Sequence, residues 1–288
     1  MANRRTFRQK WLSYKKRPGS LILFILVSLS ALVTAALVVS LVVYILVKGI
    51  PHLKPDLFAW KYTTENSSMM PAIINTVIMT LLSLLIAGPL GIFSAIYMTE
   101  YARKGNKLVG LVRTTTETLA GIPSIVYGLF GQLLFVLACG FDYSMLAGAL
   151  TMSIMILPTI MRTTEEALLS VPDAYREGSF GLGAGRLRTV FRIVLPSAIP
   201  GILTGVILAI GRVAGETAAL IYTAGTVAGI PDSLMRSGRT LSVHMYALLN
   251  EGLYMEQAYA TAVVLLAMVV LINALSAFLS RKITAKGG

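Results

Sequence analysis

The chain has 288 residues, 56% of them hydrophobic and only 13% charged, with a formal net charge of +12 and one cysteine. A soluble globular domain carries about 45–50% apolar and about 25% charged residues, so a soluble fold around a single core is excluded, as are a disordered chain and a disulfide scaffold. In so apolar a sequence, the positive charge must first be located relative to a membrane.

Crossing a bilayer takes about 20 predominantly apolar residues. The N-terminal segment, 1–19, holds Arg4, Arg5, Arg8, Lys10, Lys15, Lys16 and Arg17. It resembles the basic start of a signal peptide, but the uncharged run behind it, Ser20–Val47, is longer than the roughly 7–15 residues of a signal core. It is read as an uncleaved first membrane helix. Met69–Thr99 is the second span and contains Pro71, Gly88, Pro89 and Gly91. Thr118–Phe141 is the third, and Tyr143–Met161, with Pro158 near its end, the fourth. Ser197–Gly225 is the fifth, interrupted by Arg212 and Glu216, and Gln257–Ser280 the sixth. These spans predict an all-α integral membrane protein with one domain over 20–280. Gly88-Pro89 and Gly121-Ile122-Pro123 are expected to break or bend two spans, as happens where backbone lines a cavity. Close helix packing accounts for the glycines equally well. Ser124 then falls at a helix start, where backbone N–H groups favour an anion.

Segments 1–19, 100–118, 162–196 and 281–288 carry 19 of the 25 basic residues. The intervening stretches carry Lys48, Lys54, Lys61, Arg236 and Arg239, and the acidic residues divide evenly between the two sides. The basic excess therefore lies on one side, which the positive-inside rule makes cytoplasmic, together with both termini. Topology explains the charge without nucleic acid. Glu100 and Glu117, flanking the 100–118 loop, are expected to be solvated. Arg162, at the inner end of the fourth span, fits either a snorkelling anchor or a contact for an anion leaving the membrane.

Catalytic signatures are missing. There is no G-x-x-x-x-G-K-[ST] phosphate loop, and Gly181, Gly183 and Gly185 miss the dinucleotide spacing. His52 and His244 match no metal spacing, and no Ser–His–Asp or Cys–His set stands out. Cys139 lies at a span end, where a packing role is expected. The chain reads as a transport subunit, not an enzyme, with no cofactor or metal of its own.

The segment 162–196 is the most informative. Ser170 and Asp173 have capping-box spacing and Pro172 suits a first turn, so a short helix is predicted from there. Val171, Ala174, Tyr175, Gly178 and Leu182 fall on one face, and Gly183 is placed to end the helix in a left-handed cap. A second helical stretch is predicted to Leu195, where Pro196 stops or redirects it. The periodicity fits a helix lying on the membrane as well as one docking on another protein.

Glu177-Gly178-Ser179, three residues, Gly183, nine residues, then Ile193-Val194-Leu195-Pro196 resembles the EAA-x3-G-x9-I-x-LP signature of ABC importer permeases. Gly178 and Ser179 replace the two alanines, and both are small. The stretches 88–104, 122–131, 160–184 and 201–225 are similar to the PstA-type permeases of phosphate ABC transporters, and the resemblance covers about 70–225. It implies a type I ABC importer permease fold. Tyr175, Arg176, Glu177, Gly178, Ser179 and Gly183 would then belong to a coupling helix seated on a partner ATPase, which binds ATP and magnesium. It also implies a sister permease, an ATPase dimer and a periplasmic phosphate-binding protein as partners, besides membrane lipid.

Arg212 falls near the middle of the fifth predicted span, where a charge costs about 2.5–3.5 kcal/mol to insert. Glu216 follows four residues later, so on a continuous helix the two share a face and can pair. The pair reads either as self-neutralising structure or as part of a polar path. In the second case the arginine fork suits an oxyanion and Glu216 keeps it from trapping the anion. Arg212-x3-Glu216-Thr217-Ala218 is the segment most particular to phosphate permeases, in which matching residues are implicated in phosphate passage. Other oxyanions (sulfate, molybdate or phosphonate), the sister phosphate permease and an ion-coupled secondary transporter are the alternatives. The last expects inverted repeats, and none is visible.

Overall fold

The computed structural model describes residues 18–103, 105–252 and 254–287; nearly all of the basic segment 1–19 lies outside them. Every regular element among the described residues is helical. The chain runs α1 (Pro18–Gly49), α2 (Met70–Ile96), α3 (Lys107–Ala120), α4 (Ser124–Gly131), α5 (Met145–Leu169), α6 (Asp173–Gly181), α7 (Arg186–Thr189), α8 (Leu195–Gly215), α9 (Ala218–Ile221), α10 (Leu241–Glu251) and α11 (Met255–Gly287). Five stretches are long and apolar enough to cross a membrane: Gly19–His52, Met70–Tyr101, Met145–Leu169, Arg186–Gly215 and Met255–Phe278. A sixth exists only if Lys107–Ala120 and Ser124–Ala138, which meet at 105°, count as one broken span.

Helix α5 is the axis of the bundle and packs on α2, α3, α4 and α8. Met145, Met152, Met155, Ile156 and Ile160 are fully buried along it, facing Met79, Val213 and Leu220. Methionine is unbranched and adaptable, so it fills the irregular gaps left where helices break. Several hydroxyl side chains on the buried faces donate within their own helix: Thr76 to Ala72 O at 2.7 Å and Thr151 to Ala147 O at 2.8 Å. Close approach of α2 and α5 needs a residue without a side chain, since a Cβ on Gly91 would stand 2.8 Å from the Ile160 side chain. A second core, of Ala95, Ile96, Leu168, Val171, Val190, Val194 and Ile202, closes the end that carries α6.

Several boundaries differ from the sequence reading. Helix α2 runs unbroken through Gly88-Pro89 and ends in a π turn, Tyr97–Tyr101. The 100–118 loop is largely helical, as α3. The fifth span starts at Arg186 instead of Ser197, because Pro196 does not stop the helix. It sits in the first turn of α8, directly after a π turn, Val190–Val194. The wider turn relieves the clash of the proline ring with the preceding carbonyls. The fifth span also ends early, at Gly215, which puts Arg212 in its last turn and not near its middle. The last helix continues past Ser280 to Gly287.

The coupling segment folds as predicted in outline. Gly183 has φ +80°, Ala184 N donates to Ser179 O at 3.1 Å and Gly183 N to Phe180 O at 2.9 Å. This is a Schellman cap. The capping box is not made: Pro172 is the N-cap, and Ser170 Oγ donates backwards to Ala167 O at 2.7 Å.

Candidate functional site

Two helix breaks meet beside α5. The first follows Ala120, where Gly121 and Ile122 leave the helix and Pro123 takes an extended conformation with ψ 144°. Proline disfavours helix in the residue before it and offers no N–H, so α4 restarts at Ser124. Tyr127 Oη reaches back across the break and donates to Leu119 O at 2.7 Å. The second break is at Glu216 (φ −73°, ψ 131°) and Thr217, between α8 and α9. The two restarted helices, α4 and α9, pack on each other. Contact is close at Gly128, where a Cβ would stand 2.9 Å from Ala219 Cα.

This geometry corrects the expected pair. On a continuous helix Arg212 and Glu216 would share a face. The helix ends between them, the extended backbone at Glu216 turns its carboxylate away, and Glu216 Oε1 accepts from Ala219 N at 3.1 Å. The acid thus caps α9, where a carboxylate is favoured by the free N–H groups. Arg212, half-buried in the last turn of α8, makes no ion pair among the described residues. Its charge acts on the Tyr127 hydroxyl. Thr217 and Ser124 are half-buried at the starts of α9 and α4, so Arg212, Glu216, Thr217 and Tyr127 collect at the two breaks, with Ser124 one turn before Tyr127. No motif marks Tyr127 in the sequence, although its place three residues after Ser124 puts it on the same face of the restarted helix.

Arg162 is elsewhere. It is two-thirds exposed, and its Nε donates to Glu166 Oε1 at 3.0 Å. Together with Arg113, Glu117 and Glu165 it lines a cleft of about 290 Å³ between α3 and α5. Thr163 abuts Gly205 on α8, seven residues before Arg212, so the two arginines lie about 10 Å apart along the axis at 1.5 Å per residue.

On the coupling segment, Tyr175, Glu177, Gly178 and Gly183 are exposed, and Leu182 is 91% exposed. Tyr175, Gly178, Leu182, Arg188 and Arg192 line a groove of about 540 Å³. Ser179 and Arg176 point inward instead. Ser179 is buried, its hydroxyl 2.8 Å from that of Thr189. Arg176 is paired with Glu100, which is buried and not solvated as expected. Glu117 is exposed, as expected.

The opposite end holds a polar cluster that the sequence did not reveal. Arg239, 5% exposed, lies with its guanidinium 4.5 Å from the centre of the Tyr62 ring and makes no ion pair among the described residues. His244 is fully buried beside the same ring. Burial, and secondly the charge of Arg239, push its pKa down to about 3. Asn75 Nδ2 donates to Gly229 O at 2.8 Å and Arg239 O at 3.1 Å, and Leu241 N donates to Thr76 Oγ1 at 2.8 Å. The segment before α10 is thereby fastened over α2. Ser242 Oγ donates to Glu216 O, which links this cap to the second break.

Residues 87–285 match the family described as the binding-protein-dependent transport system inner membrane component. A probable ABC transporter permease, YqgI of Bacillus subtilis (strain 168), is 37% identical over 245 residues, covering 78% of this chain and 81% of that protein. PstA, a phosphate transport system permease of Xylella fastidiosa (strain 9a5c), is 38% identical over 180 residues, covering 62% of each. The PstA of Pasteurella multocida (strain Pm70) is 40% identical over 182 residues, covering 62% of this chain and 64% of its own. Among solved structures, a bacterial alginate ABC transporter superposes with a TM-score of 0.69 at 17% identity, covering 94% of this chain and 98% of that one. The MetNI methionine ABC transporter, inward-facing, gives 0.59 at 21% identity over 74% and 93%. These likenesses show a type I ABC importer permease fold. The chain is a multi-pass membrane protein and belongs to the binding-protein-dependent transport system inner membrane component family.

Proposed function

We propose that this chain is the PstA-type permease subunit of an ATP-driven importer that carries inorganic phosphate into the cytoplasm. The observation that carries the reading is Arg212: a half-buried guanidinium with no ion pair among the described residues, at the end of a span where two helix breaks meet. A half-buried charge in a membrane protein is costly unless it faces a polar path, and non-helical backbone inside a membrane is tolerated where it lines one. The planar fork of arginine suits phosphate oxygens. The matched PstA proteins, named as phosphate permeases, support the same substrate.

In this reading Arg212 is the anion contact. Glu216 holds the restarted helix α9 and keeps its negative charge nearby, so that phosphate is bound weakly enough to leave. Thr217 and Ser124 offer hydroxyls along the path, and Arg162 stands about 10 Å further on, where neutralisation by Glu166 favours release. The family works with an ATPase and a substrate-binding protein. Here these are an ATPase dimer that supplies ATP and magnesium, and a periplasmic phosphate-binding protein; a sister permease completes the path. The exposed groove around Tyr175 and Leu182 is the ATPase-facing surface, on the cytoplasmic side of a bacterial inner membrane, with both termini cytoplasmic.

The test is ATP-driven phosphate uptake by the full complex in proteoliposomes, wild type against Arg212→Ala. Lost uptake in an assembled complex is expected. Unchanged uptake makes Arg212 structural, and wild-type uptake of sulfate or molybdate in place of phosphate overturns the substrate.

A further inference from the structure

Arg176 is an exposed-looking residue on a short polar helix, yet its side chain is turned inward and only 15% exposed, against a Glu100 side chain that is 8% exposed. The guanidinium uses all three nitrogens. Nη2 donates to Glu100 Oε1 at 2.7 Å and to Leu168 O at 2.9 Å. Nε donates to Glu100 Oε1 and Oε2 at 3.2 and 3.3 Å. Nη1 donates to Val171 O at 2.7 Å and to Asp173 Oδ1 at 3.1 Å. One side chain therefore joins the end of α5, the start of α6 and the π turn that closes α2. Glu100 sits on that π turn, a wide turn with weaker internal constraint than an α-helix.

Other contacts make this tie the informative one. The backbone of α6 packs mainly on α7 and the π turn Val190–Val194, both of which lead into α8. Among the described residues, its hydrogen bonds to the π turn that closes α2 come from the Arg176 side chain. Glu100 is also buried at the rim of the core formed by Ala95, Ile96, Leu168 and Val171. A buried, multiply bonded charge pair is rigid in direction in a way that apolar contact is not, because each donor fixes an angle as well as a distance.

We propose that the Arg176–Glu100 pair is the transmission joint of this permease, through which displacement of α6 by the ATPase moves α2 together with α5. Arg176 is a positioning residue in this role and touches no substrate. The proposal rests on the reading of α6 as the ATPase-docking helix. It predicts that the joint can be cut without undocking the ATPase, since Tyr175, Gly178 and Leu182 face outward while Arg176 faces in. Cutting it leaves ATP hydrolysis running while transport slips.

The experiment compares the full complex in proteoliposomes, wild type against Glu100→Gln, and reads phosphate imported per ATP hydrolysed. A drop of tenfold or more is expected, with the ATPase still co-purifying and hydrolysing ATP. A second variant, Arg176→Met with Glu100→Leu, replaces the pair by apolar side chains, which commonly preserves stability. It is expected to assemble and to remain uncoupled. Normal phosphate per ATP in either assembled variant overturns the joint. A direct readout separates this failure from a wrong substrate. In a Cys139→Ser background, thiol accessibility at Leu90→Cys on α2 is measured in nucleotide-free and ATP-trapped complexes. The wild-type joint is expected to give a nucleotide-dependent change that Glu100→Gln abolishes, whatever anion is carried. A change that persists in Glu100→Gln overturns the proposal, and a wild type that moves α2 but imports no phosphate overturns only the substrate.

Discussion

The substitution Gly128→Ala tests the meeting of the two breaks. A Cβ there would lie 2.9 Å from Ala219 Cα and 3.2 Å from Ala218 O. Both are backbone atoms of the opposite restarted helix, so no side chain can swing aside. Ordinary carbon contacts are about 3.5–4.0 Å, so α4 must withdraw from α9 by roughly 0.6–1.1 Å. Overpacking of this kind costs about 1–3 kcal/mol, against a gain near 1 kcal/mol from alanine's helix propensity. The Tyr127–Leu119 bond, now 2.7 Å, lies on the helix that moves. The expected outcome is a melting temperature in detergent lowered by a few degrees, together with reduced phosphate uptake. Gly110→Ala on α3 is the control, because nothing lies within 4 Å of its Cβ position; it should be neutral or stabilising by up to about 1 kcal/mol. A Gly128→Ala protein as stable and as active as wild type would refute the close packing of α4 on α9.

Two further outcomes are expected. His244 stays neutral in the folded chain down to a pH of about 3, whereas in the unfolded chain it takes a proton near pH 6.5. The unfolded state therefore binds more protons between those values, and stability falls as pH falls, by about 2 kcal/mol from pH 7 to 5. His244→Phe should flatten that part of the profile in thermal melts, and a wild-type slope retained by the variant would count against the buried neutral imidazole. Leu182→Asp places a charge on a side chain that is 91% exposed at the coupling groove. Co-purification of the ATPase should drop strongly while the melting temperature of the isolated chain stays within a degree or two, and intact co-purification would remove Leu182 from the docking surface.

The spans were legible because uncharged runs of this length have no other stable use, and the coupling helix because Pro172 and Gly183 punctuate it. What stayed hidden depends on how the backbone compensates. Pro196 reads as a stop, but a π turn in front of it absorbs the ring, and π turns have no sequence signature. The spacing of Arg212 and Glu216 implies a pair only if the helix persists, and Gly215 ends it one residue too soon. Glu100 reads as a solvated loop acid because its partner, Arg176, is 76 positions away in the chain. Arg239 and His244 lie in a polar stretch between spans, and their burial comes from α2 and the Tyr62 segment folding over them, a tertiary fact with no local trace.

Helix α1 has a consequence for how the protein is made. Its side chains from Leu23 to Val47 are largely exposed, and within the chain it packs mainly against α11, where Gly49 meets Tyr259 and Val263. Two helices far apart in the order of synthesis are thus neighbours. Roughly 200 residues separate them, which at about 5–20 residues per second is some 10–40 s of synthesis. Throughout that interval α1 must reside in the bilayer largely covered by lipid, while the bundle around α5 assembles. Its near-unbroken apolar surface, which no interior packing requires, is what lets it wait.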